Sequence, residues 1–99
     1  MAKLIWTEES LTCLHDIDQF LAETSDRAAV SVLEGIIDKA EMLCNHPRLG
    51  AQHVDVAERE VREVLYGRYR IIYEFIEAAD AIYVLAVIHS AMDIDRLRL

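Results

Sequence analysis

Arginine and glutamate are concentrated in residues 59–75, a stretch that otherwise has the pattern of two β-strands. A guanidinium presents several fixed N–H donors, so Arg62 and Arg70 are candidates for binding a phosphate or carboxylate. An ion pair between Arg62 and Glu74 or Glu60 explains the same pattern equally well. Charge is costly on a strand that is buried on both sides, so we expect one buried face and one working face.

The turn at Gly67 decides whether Arg62 and Arg70 can act together. A three-residue loop over residues 66–68 puts both arginines on one face, whereas a two-residue turn pairs Tyr66 with Tyr69 and separates them. We favour the three-residue loop, which a joint anion site needs.

His89 ends an apolar run, where an imidazole can act as a general acid or base near neutral pH. No partner for it is identifiable, so a structural histidine at a strand end is favoured. The other histidines and both cysteines lack metal-ligand spacing, and no metal or cofactor is expected; they are His15, His46, His53, Cys13 and Cys44. We expect reduced thiols, although the sequence leaves a bridge between the two cysteines open.

The length of 99 residues predicts a single domain, 1–99, and the formal net charge is −8. That charge opposes broad binding to nucleic acid, which needs a positive field. Most basic residues follow residue 58, so a negatively charged partner is expected at the C-terminal part. Neither a signal peptide nor a membrane span is predicted, which favours a cytoplasmic protein.

The hydrophobic pattern predicts an α+β fold in the order β-α-α-β-β-β. A short strand over residues 3–6 precedes a helix over 8–23. A second helix begins after Ser25 and ends before Pro47, and Gly35 within it suggests a close contact. Residues 46–58 are predicted to form a loop.

Three strands then form an antiparallel meander, with the nearly continuous apolar run Ala81–His89 in the interior of the sheet. The two helices form a hairpin that packs on one face of this antiparallel sheet. The other face is left to solvent or to a partner. Tyr69 and Tyr73 alternate with apolar neighbours and are expected in the core.

Four segments in this order resemble the RelE/ParE superfamily of bacterial toxins from type II toxin–antitoxin systems. They are IWTEESLTCLHDIDQFLAE, HPRLG, VREVLYGRYRIIYEF and VIHSAMDIDRL, which together span most of the chain. The chain departs from the pattern at Ala51, where members often have arginine, and at Ser90 and Ala91, where many have a basic residue. It also lacks a tyrosine after His89.

The resemblance therefore implies the ParE side of the superfamily, whose members bind and inhibit DNA gyrase and can serve plasmid stabilization. The alternatives are a RelE-like ribosome-dependent mRNA endoribonuclease, with Arg62, Arg70 and His89 in its site, or a non-toxic member that only binds a partner. A cognate antitoxin is the implied partner, with strand addition expected near residues 59–65. The residues assigned to partner binding are Arg59, Arg62, Arg68, Arg70 and Met92.

Overall fold

The computed structural model describes residues 1–53 and 58–89, which form two helices packed on a five-stranded sheet. The predicted α+β class is confirmed. In chain order the elements are β1 (Lys3–Trp6), α1 (Glu8–Ala22), α2 (Asp26–Met42), β2 (Ala51–Gln52), β3 (Val61–Tyr66), β4 (Tyr69–Ile76) and β5 (Ala81–His89), with a 3-10 turn at Glu77–Ala79 before β5.

Both helices begin at a side-chain cap, as the sequence indicates. The Thr7 hydroxyl accepts a hydrogen bond from the Ser10 amide at 3.2 Å, and Ser25 accepts one from the Ala28 amide at 3.2 Å. Each cap satisfies one amide that the first helical turn leaves without a partner. Among the described residues, no helix is both long and apolar enough to cross a membrane.

The strands lie in the order β1-β5-β4-β3-β2. The predicted antiparallel meander of β3, β4 and β5 is confirmed, and β5 lies in the interior of the sheet. β1 pairs parallel to β5, from Lys3 opposite Ala81 to Trp6 opposite Val84, which makes the sheet mixed. β2 lies inside the segment predicted as a loop and pairs antiparallel with β3.

The turn between β3 and β4 has two residues, so the favoured three-residue loop is wrong. Tyr66 pairs directly with Tyr69. Gly67, the first residue of the turn, has a φ of +57°, which is what the first position of a tight type II′ hairpin turn requires. Because successive side chains alternate, Arg62 and Arg70 lie on opposite faces of the sheet.

The main core lies between the helices and one face of the sheet. Its buried members from α2 and the adjoining segment, Ile36, Ala40 and Leu43, pack against this face. The predicted core position of Tyr73 is confirmed, since its exposed fraction is 0%. The sheet residues of this core are Val64, Ile71, Tyr73, Phe75, Ile82, Val84 and Val87.

The opposite face of the sheet is not open throughout, contrary to expectation. Val61, Ile72, Ala86 and Ile88 form a second cluster there and are at most 3% exposed. Leu65, on the same face near the hairpin turn, is 58% exposed. Ile76, on the same face at the other end of β4, is 37% exposed, so exposed apolar side chains flank the buried cluster at both ends.

Candidate functional site

The segment Pro47, Arg48, Leu49, Gly50 is fixed to the sheet by one phenol. The Tyr73 hydroxyl donates a hydrogen bond to the Pro47 carbonyl at 2.8 Å and accepts one from the Gly50 amide at 3.0 Å. Burial raises the pKa of Tyr73, so the group remains a neutral phenol that can donate and accept at once.

Gly50 allows this close approach of the segment to β3. A Cβ atom built on Gly50 would lie 2.5 Å from the Glu63 carbonyl oxygen and 2.8 Å from the Tyr73 hydroxyl. Both distances are below van der Waals contact, so a side chain at this position would push the segment off the sheet. The glycine of this segment therefore has a packing role.

Arg62 secures the same segment from the side. Its Nη1 donates to the Gly50 carbonyl at 2.7 Å and to the Arg48 carbonyl at 3.5 Å, while its Nε donates to Glu60 at 2.8 Å. The side chain is only 15% exposed. The ion-pair interpretation of Arg62 thus agrees with the structure, with Glu60 as the partner.

Glu60 joins two arginines from different parts of the chain. Arg48 Nε and Nη2 donate to the two Glu60 carboxylate oxygens at 2.8 and 3.0 Å, and Nη2 also reaches Glu77 at 3.0 Å. Arg48 and then Arg62 hold the pKa of Glu60 below its ordinary value by hydrogen bonding. The Arg48 guanidinium also lies 5.1 Å from the centre of the Phe75 ring, within cation–π range.

On the opposite face, the charges also pair with one another. Arg59 Nη2 lies 2.7 Å from Glu74, and the closest approach of Arg70 to Glu63 is 3.8 Å. The second Glu63 oxygen lies 3.0 Å from Nε2 of His53. Among the arginines assigned to partner binding, Arg68 differs in being an exposed turn residue.

The structure does not bring Arg62, Arg70 and His89 together. Arg62 lies on the helix-facing side beside Tyr73, and Arg70 on the other side. His89 pairs in register with Tyr69, and the two rings meet edge-on at 5.6 Å and 87°. A ribonuclease site made of these three side chains would need them to converge.

Two other predictions concern partner binding. The outer edge of β3 is not free for strand addition over its first half, since β2 pairs with Arg62 and Glu63 and the His53 amide donates to the Val61 carbonyl. The prediction of an open edge at residues 59–65 is therefore wrong for that half. Met92 and the closing segment lie outside the described residues.

A groove between α1 and β5, which we call the α1–β5 groove, was not predicted from the sequence. Its volume is about 620 Å³, and its lining includes Glu9, Cys13, Asp16, Ile17, Phe20, Tyr69, Val87, Ile88 and His89. The one feature of the sequence that could have indicated this groove is Phe20, which lies beside the apolar stripe of α1 rather than within it.

Both thiols are free in the structure. Burial raises the pKa of Cys13 above the ordinary value, so the thiol is protonated at neutral pH. Within residues 1–53 and 58–89, no three histidine, cysteine or acidic side chains are placed to hold a metal ion.

The fold has several relatives among solved structures. The chromosomal ParDE system from P. aeruginosa superposes with a TM-score of 0.69 at 15% identity, covering 90% of this chain and 96% of that chain. The isolated E. coli RelE toxin gives 0.65 at 17% identity, covering 96% and 90%. The intact E. coli RelBE toxin–antitoxin complex gives 0.62 at 18% identity, covering 94% and 100%.

These likenesses place the fold in the class of RelE/ParE toxins. A family model described as the ParE toxin of the type II toxin–antitoxin system, parDE, matches residues 4–94. The chain therefore belongs to the ParE toxin family, and the resemblance found in the sequence is confirmed. No curated protein sequence was found to match.

Proposed function

We propose that this chain is a cytoplasmic toxin that inhibits DNA gyrase by protein–protein binding and is neutralised by a cognate antitoxin. Family membership over residues 4–94 supports the toxin role. An antitoxin partner is supported by the likeness to RelBE, which is a toxin–antitoxin complex.

The observation that carries the choice of a protein target is the internal pairing of the hairpin arginines. Arg59 pairs with Glu74, and Arg62 with Glu60 and the Gly50 carbonyl. Cations held in this way are poorly placed to neutralise RNA phosphates, and the net charge of −8 repels a polyanion. Inhibition by binding a protein surface needs neither a cation-rich cleft nor a set of converging catalytic groups.

Ribosome-dependent cleavage of mRNA is the second candidate, since the fold also resembles RelE. The separation of Arg62, Arg70 and His89 weighs against the site expected for it.

A member of the fold that binds its partner but has lost toxicity is the third candidate. Arg68 and Arg70 are the assigned partner-binding residues least engaged by described contacts.

The test is a gyrase supercoiling assay on relaxed plasmid with the purified full chain, paired with a ribosome-bound mRNA cleavage assay. We expect supercoiling to be inhibited in proportion to added protein while the message stays intact. Relaxation of the same plasmid by topoisomerase I controls for direct effects on DNA.

Cut transcripts together with unaffected gyrase would overturn the proposal in favour of the endoribonuclease. Normal growth on expression, with neither activity, would leave the partner-binding member. A small reading frame directly upstream would supply the antitoxin, and its co-expression should restore growth.

A further inference from the structure

The α1–β5 groove exposes apolar surface that no described element covers. Phe20 stands at its border with 70% of its surface exposed, Ile17 is half-buried, and the buried Val87 and Ile88 form part of its floor. An exposed aromatic beside an open apolar groove is typical of a surface that a partner covers.

The charge of the groove constrains what can bind there. Glu9 and Asp16 contribute carboxylates, and the lining contains no lysine or arginine among the described residues. Electrostatic complementarity favours an occupant that combines apolar side chains with positive charge.

This chain has such a surface at its own hairpin turn, residues 65–70, which we call the hairpin tip. Leu65 is 58% exposed, and Arg68 is exposed in the turn. Arg70 approaches Glu63 no closer than 3.8 Å, which is a weak ion pair. The tip is therefore apolar and basic, as the groove requires.

The hairpin tip and the α1–β5 groove adjoin each other in one molecule. Tyr69 belongs to both, and Arg70, on the opposite face from Tyr69, pairs in register with Ile88, which also lines the groove. A two-fold axis turns such an adjoining pair into a self-complementary patch, since each copy offers its tip to the groove of the other. Lys3, in contrast, pairs with Ala81 at the end of β5 away from the groove-lining residues Val87, Ile88 and His89.

We propose that two copies of this chain associate through this patch, with the hairpin tip of one against the α1–β5 groove of the other. Arg68 and Arg70 then face Glu9 and Asp16 across the interface, and Leu65 covers Phe20. The net charge of −8 on each copy opposes association, so the dimer forms in a concentration-dependent equilibrium.

Sedimentation velocity of the full chain over a range of concentrations tests this interface. Asp16→Arg and Arg68→Asp each place like charges opposite one another, and each should raise the dissociation constant about tenfold or more. The combined variant Asp16→Arg/Arg68→Asp restores the opposite charges and should return the constant toward the wild-type value.

Glu41→Arg and Lys3→Asp are the matched controls. They change the net charge by the same amounts at exposed positions outside the groove and should leave the equilibrium unchanged. A wild-type chain that stays monomeric at all concentrations overturns the proposal and leaves the groove to a different protein. Failure of the folded double variant to regain association overturns it as well.

The two cysteines provide a second measurement in the unmodified chain. Cys13 lies in the groove and Cys44 does not contribute to its lining. Association should slow alkylation of Cys13 as the protein concentration rises, while the rate for Cys44 stays constant. Equal rates for Cys13 at low and high concentration would contradict the interface independently of the charge variants.

Discussion

A single hydroxyl group, that of Tyr73, connects the sheet to the segment after α2. The periodicity of the strand correctly predicts that Tyr73 is buried. It says nothing about the hydroxyl, whose partners at Pro47 and Gly50 lie more than twenty residues earlier in the chain. Burial can therefore be predicted from a local pattern, whereas the partner of a buried polar atom depends on tertiary structure.

We expect Tyr73→Phe to lower the free energy of unfolding by about 1–3 kcal/mol. The substitution leaves the Gly50 amide and the Pro47 carbonyl without their shared partner. Urea denaturation at neutral pH measures the change. Tyr83→Phe is the matched control, because no hydrogen bond of its hydroxyl is seen within the described residues, and an equal loss in both variants would refute this role.

Arg62 shows which contacts of a charged side chain can be predicted from residue types alone. Its sequence context supported an anion site and an ion pair equally, and the structure shows the ion pair with Glu60. The contact with the Gly50 carbonyl could not be predicted, since it depends on how the segment after α2 returns to the sheet. A local motif identifies the residue and leaves its partner undetermined.

At the level of elements, the length of the turn between β3 and β4 decides which side chains of the hairpin share a face of the sheet. The sequence correctly locates the turn at Gly67, but its length differs from the favoured prediction by one residue. Because side chains alternate along a strand, that residue moves Arg70 to the opposite face. Strands are recognisable from their composition, whereas the register between them depends on the detailed geometry of a few residues.

Neither the strand β2 nor the pairing partner of β1 could be predicted from the sequence. β2 has two residues, Ala51 and Gln52, which is too short for a periodic pattern. The four residues of β1 are recognisable as a strand, but nothing in them indicates that β5 is the neighbour. The helices were predicted more accurately because their caps and apolar stripes are local signals.

The two glycines that pack closely should respond differently to alanine. Gly50→Ala drives a methyl group into the Glu63 backbone, and we expect it to lower the free energy of unfolding by about 2 kcal/mol or more. Gly35→Ala meets only the far end of the Tyr66 side chain, which can move, and gains about 1 kcal/mol of helix propensity. Its net effect should stay within about 1 kcal/mol.

Urea denaturation of both variants compares these costs. In the background of Tyr66→Leu, the obstacle to Gly35→Ala is removed, so this substitution should become stabilising. Gly50→Ala should remain destabilising in the same background. A larger cost for Gly35→Ala than for Gly50→Ala would show that the backbone near Gly50 yields more easily than the packing indicates.

At the scale of the whole molecule, the ion pairs of Glu60 with Arg48 and Arg62 make the free energy of unfolding depend on pH. Glu60 has a lower pKa in the folded chain than in the unfolded chain, because Arg48 and Arg62 hold its charged form. Its contribution to the free energy of unfolding is therefore complete above the unfolded-state pKa of about 4.3. This contribution is lost as the pH falls through the folded-state pKa.

We expect Glu60→Gln to lower the free energy of unfolding by about 1 kcal/mol at pH 7. The difference between wild type and variant should shrink as the pH falls through the acidic range. Chemical denaturation between pH 3 and 7 measures both curves. Glu41→Gln, at an exposed position outside the network, is the control, and a gap that stays constant with pH would contradict the linkage.

The parallel pairing of β1 with β5 has a consequence for how the chain is made. Thr7, just after β1, bonds to the Val84 carbonyl across a separation of 77 residues. At a synthesis rate of roughly 5–20 residues per second, β5 is synthesised roughly 4–15 s after β1. During that interval the apolar side chains of β1 have no sheet to join, so the complete fold appears only after nearly the whole chain has been translated. A chain that ends before β5 therefore lacks the strand that joins β1 to β4.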